Sequence, residues 1–590
     1  MSRVSRVVVA FMAMGTLMVG LATPSGASTS PLAQALASLR SHAESGSWGT
    51  AVEVTGTSSL NAGGNDEVDD IACASPGNCG AGGFYTDGAG HPQVWVSNEV
   101  SGIWNSAIEI PGTALLNAGA TADFNAISCP SAGNCTAVGD YTDESNSLQA
   151  FVVDEKGGTW GSAIEAPGTG FLNYDGDASA FTVSCSSAGN CTAGGTFANS
   201  AAQLQAFSLN EVNGVWDSAV LLPGIATLST GTTSALTSVS CGSTGNCSGV
   251  GIYTDASAHK QSFVDDEKNG VWGTIQETPG DATLNGGGDM EFNGLSWSST
   301  GNCAAGGYYT DSATHLQAFT VNEVGGVWGS AAELPGIATM NVGGASAVFN
   351  LSCTASGSCS AVGNYGDASA AQQAFVVDEV GGTWGSIQEA PGSAALNVAG
   401  GANLNDISCT SPGYCDAGGL YSDTANSTQA FIIDEVDGTW GNAQEVPGTA
   451  TLNASGNASV LTTSCSTFGN CTAAGYYRDS TGNYQAFSIS ESYTKATEKL
   501  RVTVTQSTKL VKKKLTETLL KLAATGLATA TGSVVFSSNK GSLCTATISH
   551  GSAKCSTSKR FAKGSLTVTA KYAGNMFDQA ASATSRVSVK

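Results

Sequence analysis

The chain has 590 residues, is rich in glycine and carries few charged residues, while its apolar fraction is ordinary for a globular protein. Its formal net charge of −24 is unevenly distributed: residues 48–494 contain four basic residues against 43 acidic ones, whereas residues 495–590 contain 16 basic residues against three acidic ones. The acidic part should repel nucleic acid, so no nucleic-acid partner is expected for it. The length predicts several domains or one large repeat array.

The first 27 residues have the features of a secretory signal peptide. Two arginines precede an apolar run at 7–22, and a small-x-small cleavage pattern ends at Ala27. The alternative is a membrane anchor, but this run is shorter than the roughly 20 apolar residues that span a bilayer. We therefore expect a secreted, extracellular protein that is not inserted in a membrane, with a linker at 28–47.

A 56-residue repeat occupies residues 48–493 and occurs eight times without insertion or deletion. Each copy contains four short β-rich runs separated by Gly, Pro, Ser and Asn, such as FNAISC, NCTAVGDYT, LQAFVVDE and WGSAIEAP in the second copy. Four strands per unit and eight units predict an all-β, eight-bladed β-propeller with four-stranded blades.

The two ends of the array are complementary. The array opens on a lone fourth strand at Trp48 and stops after a third strand at 485–492. These two pieces can complete one shared blade, and such a strand-swapped closure removes the exposed edges of an open array.

Each copy except one carries a Cys-x5-Cys motif across the turn between its first two strands. Facing residues of such a hairpin lie within disulfide range, so we expect a disulfide inside each blade. In the fifth copy Trp297 replaces the first cysteine, which predicts a free thiol at Cys303. Zinc is the alternative, but the pairs contain no His and are dispersed over the repeats. The predicted structural disulfides are Cys73–Cys79, Cys129–Cys135, Cys185–Cys191, Cys241–Cys247, Cys353–Cys359, Cys409–Cys415, Cys465–Cys471 and Cys544–Cys555.

Most acidic residues occupy repeated columns, with Tyr-x-Asp after the second strand and Glu near the end of the third. A residue present in nearly every blade is expected to serve the blade, as a turn cap or a strand-end hydrogen-bond partner. Departures from the repeat are few: His91, His259 and His315 share one loop column, and 173–177 resembles half of a calcium loop without its bidentate Glu. We interpret the histidine column as sequence drift at an exposed loop position, and the calcium loop as incomplete in residues and spacing. We therefore predict no catalytic residue, no metal site and no cofactor.

The loops differ between the two rims of the predicted propeller. The loop from the fourth strand to the next blade is long, as at 112–123, and shares a rim with the loop between the second and third strands. The opposite rim, which includes Trp297, has only tight turns. Binding is expected on the long-loop rim, because variable loops on a rigid scaffold commonly carry it.

Two resemblances follow from these motifs. The repeat, with SAGNCTAVG, LQAFVV and GGTWG, resembles a repeat of secreted bacterial proteins of unknown function, and VDEKGGTW at 153–160 is similar to the Asp-box of sialidase-type propellers. Enzymes of that type bind the substrate carboxylate with three arginines, whereas this propeller contains only Arg478. After a linker at 494–500, residues 501–590 resemble bacterial Ig-like repeat domains, which implies a β-sandwich.

The predicted function is a secreted, monomeric, non-catalytic binding or scaffold protein, with a cell-wall polymer or a glycan as the candidate partner. The alternative is an extracellular carbohydrate-active enzyme with its site on the long-loop rim. A purely structural surface component is a third reading. The basic C-terminal segment, with its densest run at Lys512–Lys514, is the part that could attract anionic wall polymers, unless these lysines only solubilise a sheet edge or dock on the acidic propeller.

Overall fold

The computed structural model describes residues 46–299, 301–355, 357–493, 500–511, 514–526, 532–549, 551–557, 561, 563–574 and 578–589. The predicted signal peptide at 1–27, most of the linker at 28–47 and all but one residue of the linker at 494–500 lie outside these residues. Among the helices of the described residues, none has the length and apolar character needed to cross a membrane.

Residues 47–492 form eight antiparallel sheets, one per repeat, which confirms the predicted eight-bladed propeller. In each blade the first three strands lie in sequence order. The first strands are Asp66–Ser75, Ala122–Ser131, Ala178–Ser187, Ser234–Ser243, Met290–Ser299, Ala347–Ala355, Asn403–Ser411 and Ser459–Thr467. The second strands are Asn78–Thr86, Asn134–Thr142, Asn190–Ala198, Asn246–Thr254, Asn302–Thr310, Ser358–Gly366, Tyr414–Ser422 and Asn470–Arg478. The third strands are Pro92–Val100, Leu148–Lys156, Leu204–Val212, Lys260–Lys268, Leu316–Val324, Gln372–Val380, Thr428–Val436 and Tyr484–Ser492.

The fourth strand consists of two short pieces that both pair with the third strand. The first pieces are Ser47–Trp48, Ile103–Trp104, Thr159–Trp160, Val215–Trp216, Val271–Trp272, Thr383–Trp384 and Thr439–Trp440, and in blade 5 a single bridge joins Glu323 and Trp328. The second pieces are Val52–Glu53, Ile108–Glu109, Ile164–Glu165, Val220–Leu221, Gln276–Glu277, Ala332–Glu333, Gln388–Glu389 and Gln444–Glu445. A single helical turn then leads to the next blade, at Thr57–Leu60, Thr113–Leu116, Thr169–Leu172, Ile225–Leu228, Asp281–Leu284, Ile337–Met340, Ser393–Leu396 and Thr449–Leu452.

The ring closes as the ends of the array predict. Ser47–Trp48 pairs with Tyr484–Ser492, placing Trp48 opposite Glu491, and Val52–Glu53 pairs with the same strand. The eighth blade is therefore built from both ends of the repeat array, and its outer edge is covered by the N-terminal pieces.

The apolar core lies between adjacent blades. The third strand reads as a nearly continuous apolar run, because both of its faces are covered, as in the buried stretch Ala150–Val153. A large aromatic side chain from each third strand is completely buried: Trp95, Phe151, Phe207, Phe263, Phe319, Phe375, Phe431 and Phe487.

A glycine column in the second strand follows from a β-bulge in the first. The register shifts between Phe124 and Ala126, and this brings the carbonyl oxygen of Asp123 within 2.2 Å of where a Cβ on Gly139 would lie. The corresponding glycines of the other blades face a first-strand carbonyl in the same way: Gly83, Gly195, Gly251, Gly307, Gly363, Gly419 and Gly475. Only glycine permits this close approach.

Serine side chains also link adjacent blades. Ser128 Oγ accepts a hydrogen bond of 3.0 Å from the backbone N–H of Cys185 in the next blade. The same bond runs from Cys241 to Ser184, Trp297 to Ser240, Cys353 to Ser296, Cys409 to Ser352, Cys465 to Ser408 and Cys73 to Ser464. Blade 1 has Ala72 at this position, so Cys129 has no such serine partner.

The predicted disulfides lie within the blades. Seven Cys-x5-Cys pairs are joined at 2.02–2.06 Å, with Cα atoms 4.0–4.1 Å apart: Cys73–Cys79, Cys129–Cys135, Cys185–Cys191, Cys241–Cys247, Cys353–Cys359, Cys409–Cys415 and Cys465–Cys471. Cys303 is free and buried. Burial raises the pKa of its thiol, so this group is unreactive as a nucleophile.

Trp297 has a packing explanation. It lies opposite Cys303, and a Cβ on Gly242 of the preceding blade would come within 2.7 Å of its indole ring. The other blades have Ala, Pro, Ser or Thr at the position of Gly242. Gly242 in blade 4, which has no side chain, therefore makes room for the indole of Trp297 in blade 5.

The C-terminal residues form a separate all-β unit with its own apolar core. Its seven strands are Arg501–Val511, Lys514–Thr525, Ser533–Ser538, Gly541–Ser549, Ser552–Ser556, Gly564–Tyr572 and Ala581–Val589. In the sheet they follow the order first, second, fifth, fourth, third, sixth and seventh. Leu522, Phe536 and Val568 are buried in its core, and Cys544 is joined to Cys555. The Lys512–Lys513 pair lies outside the described residues.

Candidate functional site

The propeller has two rims of different construction. The turns between first and second strands and between third and fourth strands form the tight-turn rim, as at 132–133 and 157–158. The loops between second and third strands and the helical turns between blades form the long-loop rim, as at 143–147 and 112–121.

The Tyr-x-Asp column of the long-loop rim caps turns, as its repetition indicates. Asp143 Oδ1 accepts hydrogen bonds from the backbone N–H groups of Ser145 and Ser147, and its Oδ2 accepts one from Gln149 Nε2. Six blades have the same turn on Asp87, Asp255, Asp311, Asp367, Asp423 and Asp479, and the third blade uses Asn199. These carboxylates are structural.

A tyrosine–glutamate pair also recurs, and it was missed from the sequence. Tyr85 Oη donates to Glu109 at 3.2 Å, and equivalent bonds join Tyr253 to Glu277, Tyr309 to Glu333, Tyr365 to Glu389, Tyr421 to Glu445 and Tyr477 to Glu53. Blade 3 has Phe197 and Leu221 at these two positions, so both partners are lost together. That joint replacement was the signal in the sequence, and it marks a structural pair.

The candidate histidines are not brought together. His91, His259 and His315 lie 3.6–3.9 Å from the capping aspartates of their own turns, and about half of each side chain is exposed. The half calcium loop has a structural explanation too, because Asn173 Oδ1 accepts the N–H of Asp177 while its Nδ2 donates to Gln149. The same asparagine braces the corresponding loop at Asn61, Asn117, Asn285, Asn341, Asn397 and Asn453.

Three exposed apolar side chains of the long-loop rim, here called the long-loop patch, depart from the repeat. Phe171 is 95 % exposed, Leu115 89 % and Tyr174 79 %. Phe171 and Leu115 occupy the same position of consecutive loops, where the other blades have Ser, Thr or Ala. Large side chains this exposed contribute nothing to the core, and exposed apolar patches mark interaction sites.

A second departure on this rim is a polar cluster between blades 4 and 5. Tyr308 Oη donates to Glu291 Oε2 at 2.7 Å, and Lys260 Nζ lies 3.1 Å from the same oxygen. Burial raises the pKa of Tyr308, with the nearby Glu291 carboxylate adding to the shift. The phenol therefore keeps its proton, the opposite of what an attacking tyrosine requires.

The tight-turn rim carries a polar relay between each blade and the next. Thr192 Oγ1 lies 2.8 Å from Asn210 Oδ1 of its own blade and 3.3 Å from Glu267 Oε2 of the next blade, so its one proton is shared between these two acceptors. The tryptophan of the following blade completes many of these relays, as where Trp160 Nε1 donates to Asn98 at 3.0 Å. The repeated third-strand glutamates are thus buried between blades.

Where Asp replaces Asn in the relay, two buried acids meet. Asp378 and Glu435 are such a pair between blades 6 and 7, and Trp440 Nε1 donates to Asp378 at 3.2 Å. Burial raises the pKa of Glu435 to about 8, with the Asp378 charge adding to the shift and a hydrogen bond from Ser360 opposing it. In the equivalent pair of blades 2 and 3, burial and Asp154 raise the pKa of Glu211 to about 7.

Two clefts open between blades at this rim. One of ≈ 300 Å³ between blades 6 and 7 is lined by Ser360, Asp378 and Glu435, and one of ≈ 340 Å³ between blades 3 and 4 is lined by Thr192, Asn210 and Glu211. Both contain relay residues that every blade needs for contact with its neighbour. Neither cleft coincides with the long-loop patch.

No family model matches the chain, and no curated protein matches it. Among solved structures, a protein of unknown function from Dyadobacter fermentans is similar at 10% identity and a TM-score of 0.33, covering 75% of this chain and 98% of that one. The microbial sialidase Hz136 has 11% identity and a TM-score of 0.32 over 68% of this chain and 73% of its own. The subtype N11 neuraminidase-like protein of A/flat-faced bat/Peru/033/2010 has 9% identity and a TM-score of 0.29 over 53% of this chain and 87% of its own.

Proposed function

We propose that this chain is a secreted, monomeric, non-catalytic protein that binds a glycan through the long-loop rim of its propeller. The observation that carries the proposal is the exposure of Phe171 and Leu115 at a loop position where the other blades have Ser, Thr or Ala, with the exposed Tyr174 three residues after Phe171. Aromatic faces can stack on the apolar C–H face of a sugar ring while hydroxyls bind polar neighbours. Residues 48–494 carry 43 acidic residues against four basic ones, and this charge favours a neutral or basic glycan.

Secretion is supported by the number of disulfides and by the signal-like N-terminal sequence. Disulfides form and persist in oxidising compartments, and 16 of the 17 cysteines are paired. The C-terminal unit, which we assign to the Ig-like class, is basic and would serve as the spacer or the contact to an anionic wall polymer.

Glycan-array binding by the chain without residues 1–27 tests the proposal. Phe171→Ala with Tyr174→Ala should lower binding at least tenfold, since stacked aromatic anchors dominate such contacts. Thr283→Ala, at the position of Phe171 in another loop, is the matched control and should bind as the parent does. Equal binding by the parent and the double variant would place the ligand elsewhere.

The alternative, a carbohydrate-active enzyme, has one observation in its favour, the Glu291–Tyr308–Lys260 cluster. Glycoside hydrolysis generally uses two carboxylates about 5–10 Å apart. Asp289, whose Oδ1 accepts the backbone N–H of Lys260, is the second carboxylate beside this cluster. Release of sugar from an array ligand by the parent chain, abolished by Glu291→Gln, would favour the enzyme over the binding protein.

A further inference from the structure

The disulfide of blade 8 lies against an acidic side chain of the preceding blade. Asp416 Oδ2 is 2.9 Å from Cys471 Sγ and 3.4 Å from Cys465 Sγ. The two cysteines are joined to each other, so neither sulfur carries a proton. Asp416 therefore contacts both sulfurs of one disulfide bond, and any proton shared among the three residues is its own.

The column of Asp416 faces the disulfide of the next blade elsewhere in the ring too. Thr136 Oγ1 lies 3.4 Å from Cys191 Sγ. A Cβ on Gly80 would come within 2.9 Å of both sulfurs of Cys129–Cys135. The column reads Gly, Thr, Thr, Ser, Ala, Ser, Asp and Thr in blades 1 to 8. Blade 7 is thus the only blade whose residue in this column is acidic.

The contacts of Asp416 favour a protonated carboxyl group. Its side chain belongs to a residue that is 8 % exposed, and an ionised oxygen at these distances would face the lone pairs of two sulfur atoms. A protonated carboxyl can instead donate to sulfur, which is a weak acceptor. Burial raises the pKa of Asp416 well above its usual range, and the negative charges of Glu491, Asp434 and Glu435 add to the shift. The structure therefore holds a proton donor against the disulfide.

The two sulfurs of this disulfide differ in access and in their distance from the acid. Cys465 is partly exposed, whereas Cys471 is 1 % exposed. A thiolate from solvent therefore attacks Cys465, and Cys471, the sulfur nearer to Asp416, becomes the leaving group. A thiolate released into a buried site is costly unless a proton neutralises it. A carboxyl group can supply that proton, whereas the hydroxyl of Ser or Thr is far too weak an acid.

We propose that the blade 8 disulfide is a site of thiol–disulfide exchange, at which a small thiol forms a mixed disulfide with Cys465 while Asp416 protonates Cys471. The attacking thiolate forms a new S–S bond to Cys465 Sγ. The Cys465–Cys471 bond breaks, its electron pair leaves on Cys471 Sγ, and Asp416 gives its proton to that sulfur. A second thiolate then attacks the sulfur of the bound reagent and releases Cys465, while Asp416 takes up a proton from solvent. The two cysteines are reduced, and the reagent is oxidised to its own disulfide.

The position of the site gives the exchange a structural consequence. Cys465 and Cys471 join the first and second strands of blade 8, with their Cα atoms 4.0 Å apart. The third strand of this blade pairs with Ser47–Trp48, so blade 8 is the one that both ends of the repeat array share. Exchange here removes the covalent link inside the blade that closes the ring and leaves the other disulfides of the propeller intact.

Timed reduction of the folded full chain tests the proposal. The probe is β-mercaptoethanol, iodoacetamide stops the reaction, and mass spectrometry of peptides follows each disulfide. The reference in the same sample is Cys185–Cys191, which has Thr136 at the position of Asp416. We expect Cys465–Cys471 to open roughly tenfold faster or more, since general acid catalysis typically contributes at least this much. The β-mercaptoethanol adduct should be found on Cys465 and not on Cys471.

Two variants separate the proton of Asp416 from the shape of its side chain. Asp416→Thr installs the residue found at this position in blades 2, 3 and 8, and Asp416→Asn retains the shape without the acid. Both should bring the rate at Cys465–Cys471 to within about threefold of the reference. Asp378→Asn removes a buried acid between blades 6 and 7 and is the matched control, which should keep the ratio of the parent.

The pH dependence of this ratio is a further test that needs no variant. The titration of the attacking thiol affects both disulfides alike, so it cancels in the ratio of their rates. The ratio should fall as the pH rises, because an ionised Asp416 has no proton to give and opposes a negative charge on Cys471. Equal rates at the two disulfides of the parent, an unchanged ratio in the folded Asp416 variants, or a ratio independent of pH would each overturn the proposal.

Discussion

The two rims of the propeller carry repeated acidic columns whose pKa values shift in opposite directions. On the tight-turn rim, burial raises the pKa of Glu435 to about 8 and of Glu211 to about 7. On the long-loop rim, slight burial pushes the pKa of Asp143 upward, but hydrogen bonds from Ser147, Gln149 and Ser145 lower it overall. An acidic residue repeated with the same period is a buried contact on one rim, as glutamate, and a solvated turn cap on the other, as aspartate.

The comparison shows that repetition alone does not identify a role. A carboxylate between blades has lost water and competes with other acids, whereas one at a loop tip gains backbone N–H donors without losing water. The rims therefore differ in the positions that depart from the repeat and not in their repeated acids. The long-loop rim has exposed aromatic side chains at such positions, and the tight-turn rim has an extra buried acid, Asp416.

Reduction of the disulfides should lower the stability of the fold more than any other change considered. Within the propeller, the disulfides lie only at the tight-turn rim. Each small loop that a disulfide closes contributes roughly 2 kcal/mol in the chain-entropy model. We expect complete reduction to lower the melting temperature by well over ten degrees, measured by calorimetry with cleavage verified by mass spectrometry. A Cys303→Ser variant, which has no disulfide to lose in blade 5, should respond to reduction as the parent does. An unchanged melting temperature after verified reduction would contradict the prediction.

The opposite pKa shifts on the two rims predict that the melting temperature has a maximum in mildly acidic solution. Acids whose folded pKa is raised, such as Glu435, contribute stability that is fully present below their unfolded value of about 4.5 and is lost as the pH rises through about 8. Acids whose folded pKa is lowered, such as Asp143, contribute stability that is present above about 3.8 and is lost in stronger acid. The melting temperature should therefore rise from pH 8 to pH 5 and fall below pH 4.

Two variants test the acidic and the neutral range of this pH dependence of the melting temperature separately. Glu435→Gln should flatten the rise between pH 8 and pH 5, and Asp143→Asn should reduce the loss in acid. If Glu435→Gln leaves the rise in melting temperature from pH 8 to pH 5 unchanged, the buried acid pair of Glu435 and Asp378 does not determine that rise.

Removal of one turn cap should lower the stability of the fold less than reduction of the disulfides or the change of pH does. Asp143→Ala leaves the N–H groups of Ser145 and Ser147 to water, and we expect a loss of about 1 kcal/mol in the free energy of unfolding. Denaturant unfolding measures it, and Asp143→Asn should recover most of the loss, because Asn199 caps the same turn in blade 3. A loss above about 3 kcal/mol would indicate a role beyond the turn.

The smallest effect on stability should come from the exposed patch. Phe171→Ala and Leu115→Ala should change the free energy of unfolding by less than about 0.5 kcal/mol, because both side chains lie almost wholly in solvent. A loss of 2 kcal/mol or more in either variant would mean that the side chain is buried, and the patch would not be available for a ligand.

The sequence sufficed for the propeller, its closure and its disulfides because each is encoded as a period. Cys129 and Cys135 recur every 56 residues, and the place where Trp48 begins the array fixes the shared blade. The relay between Asp434, Glu491 and Trp48 could not be read in this way, because its members come from different blades and meet only after the ring has closed. Asp416 departs from its repeat column in the sequence, and only the structure shows that it is buried.

The shared blade has a consequence for the order of folding. Ser47–Trp48 is made first during synthesis, but its partner Tyr484–Ser492 is made more than 400 residues later. Until then the N-terminal strand has no partner in its own blade, and pairing of such distant segments is intrinsically slow. Seven blades can form from local segments before the eighth is complete. During that interval the unpaired strand edge is an aggregation hazard.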